Sequence, residues 1–212
     1  MKLLAISNPE FIPDEAELIN SLFGEGLACL HIRKPDSSED EFRALIKRIN
    51  PEFLERISIH QHHQLAKDFG LKRLHFTEKH REMQSEETIK SLSENGFTLS
   101  TSIHDLAELD HLPPYFGYTF FGPVFDSISK SGYKSELLQG FCLRKETRKI
   151  QIIALGGIDY TNLGQVQNMN FDGAAILGTL WNNPKMACEN FKRLNNINSR
   201  QSPESATYIH DR

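Results

Sequence analysis

Ile150-Gln151-Ile152-Ile153-Ala154-Leu155-Gly156-Gly157, followed closely by Asp172-Gly173-Ala174-Ala175-Ile176-Leu177-Gly178, carries the strongest architectural signal in the chain. Each is a short apolar run that stops at glycine. A strand covered on both faces reads this way because it needs apolar side chains on both sides. The glycines let a ligand approach the backbone and leave N–H groups free for an anion. Two such strand ends in succession are where (β/α)8 barrels hold a phosphate, after strands seven and eight.

Upstream of these two strands, Ile150 to Leu155 and Ala174 to Leu177, six similar runs are expected to be strands: Lys2 to Ser7, Leu27 to Ile32, Ile57 to His60, Leu71 to Phe76, Phe97 to Ser102 and Tyr118 to Phe121. Helical periodicity separates them, at Asp14 to Phe23 closed by Gly24, Glu39 to Ile49 opened by Ser38, and Glu86 to Leu92 opened by Ser85. Strand alternating with helix is the signature of a parallel sheet, so the chain is expected to be an α/β protein. Eight units fit a single (β/α)8 TIM barrel over residues 1–194, with a doubly wound open sheet as the rival. The tail 195–212, NNINSRQSPESATYIHDR, loses apolar periodicity and is expected to be disordered.

Charge and cysteine usage narrow the function. Against 28 acidic residues stand 24 basic ones, a net charge of −4 that offers no surplus for a phosphate backbone, so nucleic acid is excluded as the expected partner. Cys29, Cys142 and Cys188 are too few and too scattered for a disulfide framework or a CxxC site, which points to a reducing cytoplasm. No run of ~18 apolar residues occurs, so no membrane partner is expected; a homo-oligomer is compatible with everything above.

Three stretches outside the glycine turns carry polar chemistry. The loop from Gly122 to Gly132 sets the hydroxyls of Ser127 and Ser129 beside Lys130, a donor set suited to phosphate oxygens. In Leu30-His31-Ile32-Arg33-Lys34-Pro35, His31 and Arg33 share a parity and are expected at the barrel mouth, with Leu30 and Ile32 on the opposite face. There Arg33 needs an anionic partner, either a protein carboxylate or a substrate phosphate. Finally, His60, His62 and His63 follow strand three, and His75 and His80 lie on and after strand four. Lacking HExxH or an i, i+4 pair, they are expected to be solvated or acid/base histidines, not metal ligands.

In order and spacing, these pieces resemble the thiamine phosphate synthase family and its relative, the thiazole tautomerase TenI, nearly to Leu194. HIRKP resembles the strand-two arginine motif, IHQHHQLA the Asn-Asp region, LHFTEKH the strand-four histidine leading to an aspartate, and TSIH the Ser-x-His after strand five. GPVFDSISK resembles the family's phosphate loop, and ALGGI with AAILG its paired phosphate turns. The resemblance implies that Ser127, Ser129 and Lys130 meet substrate phosphate or pyrophosphate, and that Gly157 and Gly178 cradle a thiazole phosphate. It places Arg33 and Ser102 on the pyrimidine pyrophosphate side, with Lys34 standing in for the motif's lysine, which aligns with Pro35.

Departures from the pattern separate the reactions. His60-Gln61 replaces Asn-Asp and His80 replaces the second aspartate, so the carboxylates expected for Mg²⁺ are missing. A tautomerase needs no metal, but its catalytic histidine falls at Pro123. The first expectation is therefore metal-independent tautomerase-type proton transfer on a thiazole phosphate, with no cofactor, using His60, His80 or His31 near an imidazole pKa of ~6.5 and assisted by Lys130. The alternatives are a Mg²⁺-using synthase joining hydroxymethylpyrimidine pyrophosphate to the thiazole phosphate, and a non-catalytic binder of thiazole or thiamine phosphate.

Overall fold

In a computed structural model, which describes residues 1–126, 140–144 and 150–200, parity along each strand sorts the side chains into two cores. The strands are β1 (Lys2–Ile6), β2 (Cys29–Ile32), β3 (Ile57–Ile59), β4 (Arg73–Phe76), β5 (Thr98–Ile103), β6 (Phe116–Phe121), β7 (Gln151–Leu155) and β8 (Gly173–Ile176). All pair in parallel in sequence order, and β8 returns to β1 through Leu3↔Ala174 and Leu4↔Ala175, closing the barrel. The expected fold is thus the observed one. Leu27 and Leu71, placed in strands by their apolarity, lie just ahead of β2 and β4, buried beneath the helices.

Around the sheet lie α1 (Glu15–Gly24), α2 (Glu39–Arg48), α3 (Leu65–Phe69), α4 (Glu78–Glu82), α5 (Glu86–Glu94), α6 (Leu163–Asn168), α7 (Gly178–Trp181) and α8 (Ala187–Arg200). Local chemistry starts them where the sequence indicates. Ser38 accepts from the Glu41 N–H while the Glu41 carboxylate accepts from the Ser38 N–H, a reciprocal cap that opens α2. Helix α2 then buries Phe42, Leu45 and Ile46 against the barrel, each contributing about 1.5–3 kcal/mol by area. At the C-terminus, α8 continues through Asn195–Arg200, so the expected tail begins six residues too early. Polar residues outnumber apolar ones there, but Asn195 and Asn198 bond the Glu25 and Met1 carbonyls and hold the helix to the N-terminal end of the barrel. Residues 201–212 lie outside the described residues. No helix among the described residues is long and apolar enough to cross a membrane.

Inside the barrel the lining is divided. Leu4, Ile6, Phe120, Ile153 and Ala175, from β1, β6, β7 and β8, form an apolar wall. Opposite them, β2 to β5 and the residue after β3 contribute the buried polar side chains His31, Ser58, His60, His75 and Ser100.

Candidate active site

The alternation in β2 sends Leu30 and Ile32 into the core beneath the helices and turns His31 inward, as its parity predicts. His31 does not reach the mouth, however; it is fully buried in the barrel interior. Its Nδ1 lies 3.0 Å from His60 Nε2 and its Nε2 lies 2.8 Å from the Tyr118 hydroxyl. His60 stacks on His75, ring centroids 3.9 Å apart, and His75 spans Ser100 Oγ at 3.0 Å and Ser102 Oγ at 3.2 Å. Two imidazoles on β2 and β4 and one just past β3 thus form one cluster, invisible in sequence because their positions are 29 and 15 residues apart along the chain.

Burial decides how these rings ionise. His31 is pushed down to about 3, chiefly by loss of hydration and further by the Arg73 charge. His60 and His75 are held well below 6.5, first by burial and then by the neighbouring imidazoles and Arg33. All three are neutral at physiological pH. The expectation that His60 or His31 titrates near the ordinary histidine value is therefore corrected.

His80 is corrected by position. It sits on α4 beside His63 and Phe76, lining a cavity of about 460 Å³ with His62, His63, Leu74 and Leu92. Leu74, Phe76 and Leu92 belong to the core beneath the helices, so His80 faces the outside of the sheet and not the mouth.

Lys34 is corrected as well. One residue beyond Arg33, it points the opposite way and is fully buried, its Nζ 2.7 Å from both Glu15 carboxylate oxygens and 2.7 Å from the Glu10 carbonyl. Burial raises the Glu15 carboxyl and lowers the Lys34 ammonium, against their mutual hydrogen bonds. The pair anchors α1 beneath the β2 loop and leaves Lys34 no freedom to meet a substrate.

Arg33 directly follows β2. Ser7 Oγ donates to its carbonyl and accepts from its N–H, fixing the backbone, while its half-buried guanidinium makes no ion pair among the described residues and lowers His60 and His75 through space. Ser102 is half-buried at the end of β5. Ser100 Oγ donates to the Leu74 carbonyl at 3.4 Å, which assigns the His75 proton to Nδ1 and makes its Nε2 the acceptor of the Ser102 hydroxyl. Ser102 then offers lone pairs to a ligand and suits an amino group better than a phosphate oxygen.

The glycine turns meet side by side. Gly156 and Gly157 have φ of 103° and 63°, and the β6 loop closes onto them through Val124 N–H to Leu155 O and Phe125 N–H to Gly156 O. A Cβ on Gly157 would stand 2.4 Å from the Asp126 carbonyl oxygen, so glycine is required by packing as well as by φ. Thr179 Oγ1 donates to the Ile158 carbonyl at 2.8 Å and ties the β8 turn to the β7 turn. Among the described residues, the N–H groups of Gly157, Gly178 and Thr179 donate to no protein acceptor. Ser127, Ser129 and Lys130 lie outside the described residues.

One pair at the mouth escaped notice in the sequence. His104 Nδ1 lies 3.0 Å from the Gly122 carbonyl, and its Nε2 lies 4.0 Å from Glu78 Oε2. The Ser-x-His stretch holds the signal for His104, and Glu78 stands two residues before the position at which the family pattern has an aspartate.

Against known families, residues 3–180 match the model described as thiamine monophosphate synthase. The chain belongs to that family. A thiamine-phosphate synthase of Hydrogenobaculum sp. (strain Y04AAS1) is 29% identical over 108 residues, which is 50% of this chain and 50% of that relative. Among solved structures, a thiamine phosphate pyrophosphorylase from Bacteroides thetaiotaomicron aligns with a TM-score of 0.74 and 28% identity over 95% of this chain and 100% of the other. Another from Pyrococcus furiosus shares the fold, with a TM-score of 0.76 and 20% identity over 94% of this chain and 96% of the other.

The family synthases imply Mg²⁺, and the residues at its expected positions do not fit it. His60 offers nitrogen, the Gln61 carbonyl oxygen already accepts from the Lys34 N–H at 2.9 Å, and His80 faces away. A hard cation favours carboxylate and water oxygens, which this set does not supply.

Proposed function

We propose that the chain is a cytoplasmic transferase of thiamine biosynthesis that joins a hydroxymethylpyrimidine pyrophosphate to a thiazole phosphate. The observation that carries this reading is the pair of tied turns whose Gly157, Gly178 and Thr179 N–H groups donate to no acceptor among the described residues, where the thiazole phosphate would sit. The thiazole ring nitrogen bonds to the pyrimidine methylene carbon while the carbon–oxygen bond to pyrophosphate breaks, and the electron pair leaves with pyrophosphate. Arg33, without an ion-pair partner among the described residues, neutralises the departing charge. The reading gives Ser127, Ser129 and Lys130 to the same anion, and Ser102 to the amino group of the pyrimidine. Because the buried histidines stay neutral, they orient groups without carrying charge.

Tautomerase-type proton transfer is the second reading, and the observation favouring it is His104 at the mouth beside Glu78. One assay separates the two. The protein is mixed with thiazole phosphate carboxylate, and separately with thiazole phosphate plus pyrimidine pyrophosphate, each with Mg²⁺ or EDTA. Pyrophosphate release with coupled product supports the transferase. Isomerisation that survives EDTA supports the tautomerase, and binding without turnover overturns both in favour of a carrier.

A further inference from the structure

We propose that His31, His60 and His75 form a three-nitrogen site for a divalent transition-metal ion inside the barrel. One nitrogen of each ring lies within 4.8 Å of the other two, and all three side chains are buried. His31 Nδ1 and His60 Nε2 face each other at 3.0 Å with one proton between them. Two nitrogens bound to one zinc ion at ~2.0–2.1 Å stand roughly 3.0–3.4 Å apart, so this pair is already spaced as ligands. His75 would contribute Nε2, the nitrogen to which Ser102 now donates; turning that ring out of its stack on His60 closes the triangle.

An independent observation points to the same place. His60 Nδ1 is buried without a hydrogen-bond partner among the described residues, although His60 is only 6% exposed. That nitrogen is open to take the proton that an ion at Nε2 displaces. When an ion displaces the proton shared by His31 and His60, that proton moves to His60 Nδ1, so each ring remains neutral and no net proton is released.

The surroundings suit coordination. His31 Nε2 lies 2.8 Å from the Tyr118 hydroxyl, a contact of the kind that fixes the tautomer and aim of a ligating imidazole. No carboxylate joins the cluster, and neutral imidazole favours Zn²⁺, Co²⁺ or Ni²⁺ over Mg²⁺. The inference is independent of the reaction proposed above, because its readout is metal binding.

The test is a Co²⁺ titration of the EDTA-stripped full chain, followed by visible ligand-field absorption and calorimetry, with Zn²⁺ as competitor. The expected result is one equivalent of Co²⁺, displaced by Zn²⁺ and unaffected by excess Mg²⁺. Tyr118→Phe removes only the group behind His31 and is expected to weaken binding ~10–100-fold, with His60→Gln weaker still. The double variant His63→Gln/His80→Gln, in the cavity outside the sheet, is expected to bind as the parent does. Circular dichroism checks folding, and Tyr118→Phe carries the test should His60→Gln fail to fold. Binding below half an equivalent, unchanged affinity in Tyr118→Phe, or loss confined to the His63/His80 variant would overturn the site.

Discussion

The two sides of the barrel mouth are built on different principles. After β7 and β8 the site is backbone: Gly157, Gly178 and Thr179 present N–H groups, and the Thr179 hydroxyl ties one turn to the other. After β2, β3 and β4 it is side chain: Arg33 follows β2 near a buried imidazole cluster, and Gln61 and His80 stand where the family pattern has carboxylates. A backbone cradle depends on φ and close packing, which tolerate little change. A side-chain lining can change its chemistry while the strands stay in register. The contrast explains why the glycine turns keep their family form while the opposite side has lost the carboxylates expected at Gln61 and His80.

The largest expected effect tests whether Lys34 belongs to the scaffold. Lys34→Met strands the Glu15 carboxylate in the interior, and breaking a buried pair in this way costs about 3–5 kcal/mol. Urea unfolding is expected to show that loss, while whatever remains folded binds thiazole phosphate normally. Reduced affinity with unchanged stability would return Lys34 to the substrate side.

Gly157→Ala tests the backbone side. Its φ of 63° and the 2.4 Å approach to Asp126 O should cost about 1–3 kcal/mol and abolish selective phosphate binding together. Calorimetry with phosphorylated and dephosphorylated thiazole checks the second part.

The histidine side is expected to respond to acid. A histidine whose folded pKa lies below its unfolded value takes up a proton on unfolding, so stability is complete above about pH 6.5 and falls on acidification toward the folded value. His31 at about 3 and His63 at about 4, with His60 and His75 shifted the same way, set that window. Each contributes a slope approaching ~1.4 kcal/mol per pH unit there. Urea midpoints between pH 7 and pH 5 should fall, and fall less in His63→Gln. A flat profile would mean that these rings are not buried neutral.

Gly178→Ala is expected to have the smallest effect on folding. Its φ is not positive and a new Cβ meets only the Asn182 side chain, at 3.3 Å, so stability should stay within about 0.5 kcal/mol of the parent. Phosphate affinity should nevertheless drop. Equal affinity for phosphorylated and dephosphorylated thiazole, before and after the change, would remove Gly178 from the cradle.

Sequence alone determined the barrel and the glycine turns that end β7 and β8, because both are written in local signals. Eight apolar runs, the Ser38 and Ser85 caps, the inward parity of His31 and the glycines at the ends of β7 and β8 each act within a few residues. Tertiary structure decided what the charged and titratable side chains do. Lys34 and Arg33 are neighbours in sequence, yet one is locked to Glu15 and the other is left without an ion pair among the described residues. His60 and His80 look alike as letters, yet strand parity buries one in the barrel and α4 turns the other toward the cavity outside the sheet. The physical reason is range: strand and turn formation is settled by local backbone geometry, whereas ionisation, ligand reach and metal affinity depend on burial and on partners brought together only when the barrel closes.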